Sequence, residues 1–150
     1  MQFRDATQND IYYIVGLLAD DILGASREQH ELPVPNAYLN AFETLSKQSG
    51  NRLIVAVDDA GTIQGCLQLT ITAGLARRGM SRATIEGVRV ASDVRGTGLG
   101  KKMFEFAIDE ARKANCGLVQ LTTDRERPDA HRFYDALGFE ASHMGMKLHL

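Results

Sequence analysis

The sequence predicts an α/β fold of mixed α+β type: one central mixed β-sheet with helices on both faces. Three observations carry that expectation. Residues 52–57 and 62–72 are β-rich runs separated by the turn Asp58-Asp59-Ala60-Gly61, which together make an antiparallel hairpin. A β-rich run at 82–91, a helical pattern that follows it and a further run at 118–122 make a strand–helix–strand unit. Such a unit closes as a parallel, right-handed crossover. Helical patterns also lie on both sides of this strand set in the chain, so both sheet faces can be covered.

Each element has its own justification. Residues 2–6 can form a first strand. Thr7-Gln8-Asn9-Asp10 has the form of a capping box with Asp in place of Glu. Ile11, Ile14, Val15 and Leu18 follow at helical spacing, and this helix is expected to fade near Gly24. The polar stretch 25–35 contains two prolines and reads as a loop. Pro35 then suits the first residue of a second helix running to about Gln48. Residues 73–81, with Arg77, Arg78 and Gly79, connect the hairpin to the strand at 82–91. Leu99, Met103, Phe106, Ala107, Ala111 and Ala114 share one helical face, and Asn115 to Gly117 end that helix. Pro128 opens a short helix holding Ala130, Phe133 and Leu137, and Gly138 is placed to stop it. The segment 139–150, with His143, Met144, Met146, Leu148 and Leu150, can give one last strand. Nothing rich in Pro or Ser divides the chain, so residues 1–150 are expected to form one domain.

Composition narrows the function classes. With 150 residues, 44% hydrophobic and 24% charged, the chain is an ordinary globular sequence able to bury a core. A net charge of −2 leaves no broad basic field for nucleic acid. No apolar run is long enough to span a bilayer, and the N-terminal Met-Gln-Phe-Arg lacks the apolar stretch of a signal peptide. Cys66 and Cys116 match no metal or redox spacing and read as reduced, buried thiols of a cytoplasmic protein, with disulfide pairing the alternative. His30, His143 and His149 show no metal-ligand spacing either, so no metal is expected.

The chemistry points to Val94-Arg-Gly-Thr-Gly-Leu-Gly-Lys-Lys102, where Gly96, Gly98 and Gly100 fall within five positions. Glycine costs about 0.5–1 kcal/mol relative to alanine inside regular structure, so the bare backbone itself is needed here. A phosphate loop of the G-x-x-x-x-G-K-[ST] kind fails, because its first glycine would fall on Arg95 and its hydroxyl on Lys102. A dinucleotide fingerprint starting at Gly96 fails at Lys101. A plain glycine-rich turn explains one or two glycines but not the flanking cations. The pattern R-x-x-G-x-G, filled by Arg95, Gly98 and Gly100, fits a strand end that swings into a helix start. Unpaired N–H groups and the positive end of the macrodipole converge there on a phosphate or diphosphate. The macrodipole is worth only about 0.3–1 kcal/mol to an exposed charge, so the direct N–H contacts matter more.

These residues resemble the GNAT superfamily of N-acetyltransferases. The resemblance rests on Ile85-Glu-Gly-Val-Arg-Val90, on Arg95 to Lys102 with the following helix, and on Ala130-His-Arg-Phe-Tyr-Asp-Ala-Leu-Gly-Phe139, roughly the C-terminal half. It implies a sheet of about six to seven strands flanked by about four helices, and acetyl-CoA as acyl donor. The diphosphate would lie on Arg95, Gly96, Thr97, Gly98, Leu99, Gly100 and Lys101. The pantetheine arm would run beside Val88, Arg89 and Val90. Tyr134 matches the family's general acid toward sulfur. A phenol of pKa about 10 is protonated at neutral pH and can donate to the thiolate of a thiol with a pKa of about 8.5. The alternative is a tyrosine that only packs beside Phe133. A backbone N–H near Val88 is the implied oxyanion donor.

Glu86 is the candidate base. In simple alternation it shares a face with Thr84, Val88 and Val90, where partial burial would raise its pKa. It could instead pair with Arg82 or Arg89, and a bulge in this strand would shift the parity. Where the family often has Asn seven residues before the tyrosine, this chain has Arg127. Arg127 contacts the donor with a different geometry, or Asp124 or His131 substitutes. The acceptor, a small-molecule or peptide amine, would be recognised through the first two helices and their loop. These carry Asp20, Asp21, Glu28 and Glu31, with Arg77 and Arg78 on the other side; Asp21 and Glu28 are the candidate contacts of an acidic pocket for a cationic amine, and the alternative is that these charges are solvated surface. The resemblance also makes a homodimer one expectation, with no nucleic acid and no membrane among the partners. A non-catalytic acyl-CoA sensor on the same scaffold, or a structural domain with a decayed donor site, are the alternatives to an enzyme.

Overall fold

The computed structural model describes residues 1–20, 24–124 and 128–150, without the side chains of Pro128 and Asp129. One five-stranded sheet runs in the order β1 (Gln2–Asp5), β2 (Asn51–Val57), β3 (Ile63–Thr72), β4 (Arg82–Val90) and β5 (Leu118–Gln120). The first four strands pair antiparallel, and β4 pairs β5 in parallel. The helices are α1 (Ile11–Ala19), α2 (Asn36–Lys47), the single turn α3 (Ala76–Gly79), α4 (Leu99–Lys113) and α5 (Pro128–Ala136).

The mixed sheet and the crossover α4 are as the sequence predicts. The strand count is five among the described residues, not six to seven. Residues 139–150 contribute no strand, and Met144, Met146, Leu148 and Leu150 are all exposed. Their alternation has the strand period, but period alone supplies no neighbour to pair with. The connection 73–81 contains the helical turn α3. Arg77 and Arg78 there have φ of 53° and 62°, a left-handed conformation that only glycine adopts without strain.

Two apolar clusters sandwich the sheet. Ile54, Leu67, Leu69, Ala83 and Ile85 face α4, where Leu99, Met103, Phe104, Ala107 and Ala111 are buried. Val55, Val57 and Cys66 face Ile11, Ile14, Val15 and Leu17 of α1. Burying Leu, Ile or Phe side chains contributes about 1.5–3 kcal/mol each, so these two faces carry most of the stability. The end of α4 follows from its sequence: Asn115 takes φ 56°, and the Cys116 N–H bonds back to the Ala111 carbonyl at 3.0 Å. Both cysteines are free; burial pushes the Cys66 thiol up to about 12.

The start of α1 is held by charge. Asp10 is buried and accepts the Thr7 N–H at 2.7 Å and the Thr7 hydroxyl at 2.9 Å. Arg4 grips both of its carboxylate oxygens, at 2.7 and 3.0 Å. The Arg4 hydrogen bonds, opposed by burial and aided by Thr7, hold the Asp10 carboxyl at about 2. The folded state therefore binds this proton more weakly than the unfolded chain. The stabilisation, about 2 kcal/mol, is complete above the ordinary carboxylate range and is lost as pH falls through about 2. Asp10→Asn is expected to lower stability by about 2 kcal/mol at pH 7, with the deficit shrinking toward pH 2. Urea unfolding of both proteins across that range checks this, and a pH-independent deficit would contradict it.

Candidate functional site

The site lies where β4 parts from its neighbour. β5 pairs with β4 only through Arg82, Ala83 and Thr84. Residues 85–90 therefore leave one edge of β4 without a strand among the described residues. Unpaired main-chain groups on such an edge suit an extended ligand.

A bulge sets how this edge is presented. On β3, Cys66 pairs with Arg89 and Gln68 with Glu86, so Leu67 alone opposes both Gly87 and Val88. Gly87 adopts φ 59°, the left-handed geometry that a glycine bulge uses. The bulge inverts the parity of the strand. Val88 and Val90 turn to the α4 face with Ala83 and Ile85. Glu86 and Arg89 lie opposite Gln68 and Cys66, on the face that α1 covers. The simple alternation that groups Glu86 with Val88 and Val90 is therefore corrected. Glu86 is exposed rather than partly buried. The carbonyls of Val88 and Val90 accept from Arg89 Nη1 at 2.9 Å and Arg95 Nε at 3.0 Å.

After Val90 a short 3-10 turn, Ser92–Val94, leads into the glycine segment. Gly96 and Gly98 have φ of 81° and 86°, and Gly98 is the left-handed residue from which α4 starts, with no side chain capping it. The first helical hydrogen bond is Lys102 N–H to Gly98 carbonyl, at 3.2 Å. The amides of Leu99, Gly100 and Lys101 precede it and have no intrahelical acceptor, so they form an anion-binding helix start. A cleft of about 340 Å³ opens over them. Arg95, Gly96, Gly98, Gly100 and Lys101 form its floor and rim, and Val90, Val94 and Phe133 its apolar wall. A Cβ on Gly100 would sit 3.8 Å from both Phe133 and Val90, inside this cleft.

The remaining expected residues divide as follows. Leu99 lines the cleft and is buried in the α4-side cluster. Thr97 donates its hydroxyl to the Val94 carbonyl at 2.8 Å. Lys101 is exposed and 3.7 Å from Glu105. Arg95 is occupied within the protein: besides Val90, it holds the Asp20 carbonyl and carboxylate, both at 2.8 Å. His131 bonds the Asp124 carbonyl through Nε2 at 2.9 Å. A carbonyl only accepts, so Nε2 carries the proton there. Arg127 and Asp21 lie outside the described residues. Glu28 is half-buried and accepts the Tyr38 hydroxyl at 2.8 Å, while Tyr38 also accepts the Gln29 N–H at 2.9 Å. Burial, reinforced by Glu28, raises the Tyr38 phenol. Glu28 thus helps hold the loop over α2.

Tyr134 is positioned by aromatic packing. Its ring meets Phe104 and Phe133 edge-on at 5.5 Å and Phe139 at 6.1 Å. Gly138 takes φ 86°, and the Phe139 N–H returns to the Tyr134 carbonyl at 3.1 Å. This helix-ending turn folds Phe139 back beside Tyr134 and explains the Y-x-x-x-G-F spacing. Tyr134, Val88 and Val90 all pack against the same α4-side cluster. Sequence reasoning missed Phe133 and Val94 as cleft walls and Gly87 as the bulge. The isolated glycine in a strand pattern was the available signal for the last.

Comparison with known proteins agrees with this geometry. The family model described as "Acetyltransferase (GNAT) family" matches residues 17–139, so the chain belongs to the GNAT acetyltransferase family. The uncharacterized N-acetyltransferase YhdJ of Bacillus subtilis is 50% identical over 46 residues, 30% of this chain and 32% of that protein. Aminoalkylphosphonate N-acetyltransferase of Salmonella typhimurium is 39% identical over 59 residues, 39% of this chain and 38% of that protein. The matches thus span about a third of the curated relatives' length. A crystal structure from Bacillus halodurans C-125, described as a transcriptional regulator, is 48% identical over 99% of both chains, with a TM-score of 0.95. Among the described residues, no cluster of three or more His, Cys, Asp or Glu could hold a metal, and no helix is long and apolar enough to cross a membrane.

Proposed function

We propose that the protein is an acetyl-CoA-dependent N-acetyltransferase that transfers acetyl directly to a primary amine of a small molecule or peptide. The observation that carries this reading is the continuity of the open β4 edge with the uncapped start of α4. A CoA molecule needs both, an extended partner for its pantetheine amides and a cluster of N–H groups for its diphosphate. The residues fit it, because the left-handed glycines keep side chains away from those amides.

Acetyl-CoA supplies an activated thioester carbonyl. The chain's own groups would do the rest. The Val88 N–H on the open edge would donate to the carbonyl oxygen as it gains charge. Tyr134 would give its phenolic proton to the departing thiolate. Glu86, on the face covered by α1, would take the proton from the incoming amine, directly or through water. Glu86→Gln is expected to lower kcat/KM about tenfold near neutral pH. The loss is expected to shrink as pH rises toward the amine's own pKa, because more amine then arrives neutral. A pH profile of both proteins checks this, and a parallel offset at every pH would remove Glu86 as base. The free thiols of Cys66 and Cys116 suit action in a reducing compartment such as the cytoplasm.

Two measurements test the reading. CoA at a hundred times its Kd is expected to stabilise the protein by about 2.7 kcal/mol. A panel of primary amines is then followed for free CoA release. Absence of thermal stabilisation by CoA would defeat the donor site. A second reading, an acyl-CoA-binding regulatory domain, is favoured by the Bacillus halodurans relative described as a transcriptional regulator. Tight CoA binding without turnover of any amine would select it.

A further inference from the structure

The glycine segment has little packing to hold its shape. A Cβ on Gly96 or Gly98 would meet nothing within 4 Å, and residues 95–98 are all exposed. Yet the amides that follow can grip a diphosphate only if their directions are fixed beforehand. Arg95 supplies a constraint that packing does not. Its Nε donates to Val90, the last residue of β4, at 3.0 Å, which closes the turn 90–95 into a ring. Its Nη2 donates at 2.8 Å to the main-chain oxygen of Asp20 and at 2.8 Å to its carboxylate Oδ2. Asp20 is the residue that ends α1, so the glycine segment is tied both to the sheet and to a helix on the sheet's other face.

We propose that Arg95 is a positioning residue rather than a phosphate ligand, and that Asp20, acting through it, sets the affinity for the diphosphate of CoA. This rests on the reading of the segment as the CoA diphosphate site. The opposite assignment, a guanidinium that binds phosphate and is merely parked on Asp20, makes a prediction of opposite sign. On that view the Asp20 carboxylate competes with the diphosphate, and its removal tightens binding. On ours it preorganises the amides, and its removal weakens binding. Arg95 and Asp20 side chains are 49% and 43% exposed, which limits the expected change to about fivefold.

The test measures the Kd of CoA for the wild type, Asp20→Ala, Asp20→Asn, Arg95→Ala and the double variant. Asp20→Ala is expected to weaken CoA about fivefold, with Asp20→Asn, which keeps an oxygen acceptor, in between. The double variant is expected to bind no worse than Arg95→Ala alone, because the two residues act as one unit. In turnover the Asp20→Ala effect should fall on KM for acetyl-CoA more than on kcat. It should be smaller with the acetyl thioester of N-acetylcysteamine, a donor without a diphosphate. Unchanged or tighter CoA binding by Asp20→Ala, full additivity in the double variant, or equal losses with both donors would overturn the proposal. If the wild type itself fails to bind CoA, the diphosphate reading falls first, and that result is distinguishable from all of these.

Discussion

Tyr134→Phe is expected to lower kcat about 100-fold while leaving the Kd of CoA within about twofold, the signature of a lost proton donor. The Tyr134 ring is held by edges of Phe104, Phe133 and Phe139 and by the turn through Gly138. A phenylalanine keeps these ring contacts and removes the hydroxyl. A melting curve of the variant, run beside the kinetics, separates chemistry from packing. In water a thiolate leaves readily, so the donor matters most when the amine is weakly nucleophilic and sulfur departure limits the rate. Full activity in the variant would take the Tyr134 hydroxyl out of the reaction.

The second large effect concerns Gly100. This glycine is helical, so a side chain there adds no backbone strain, and replacing glycine in a helix gains up to about 1 kcal/mol. The reason for glycine must then lie outside the helix. A Cβ would point between Phe133 and Val90, 3.8 Å from each, into the cleft above the α4 amides. Gly100→Leu is expected to keep or raise the melting temperature while weakening CoA about 100-fold, equivalent to about 3 kcal/mol of lost contact and overlap. Calorimetric titration with a parallel melting curve reads both quantities. A stable variant that still binds CoA like the wild type would show that the ligand does not use this cleft.

Much of the architecture was legible because period and punctuation agreed. The hairpin turn at Asp58 to Gly61, the glycine start of α4, Asn115 at its end and Gly138 after α5 each need a specific backbone geometry that few residues supply. The last strand illustrates the limit. Met144, Met146, Leu148 and Leu150 alternate as a strand does, but a strand exists only through its neighbour, and none pairs with it among the described residues. The face of Glu86 was hidden for a related reason. Parity is a count, and the bulge at Gly87 and Val88 adds one to it. Arg95 shows a third kind of limit. Its motif position pointed to phosphate, whereas its three bonds run to Val90 and Asp20, and Asp20 is 75 residues distant in sequence. Long-range side-chain pairing has no local signature. Glu28 likewise was read as an acceptor contact from its charge, and its hydrogen bond to Tyr38 depends on how the loop folds over α2.

The most direct measurement is the amide spectrum of the isotopically labelled protein titrated with CoA and, separately, with pantetheine, which lacks the diphosphate. The account expects the N–H resonances of Gly98, Leu99, Gly100 and Lys101 to move strongly with CoA and little with pantetheine, while Val88 and Val90 respond to both. Binding of CoA that leaves those four amides unmoved would contradict it.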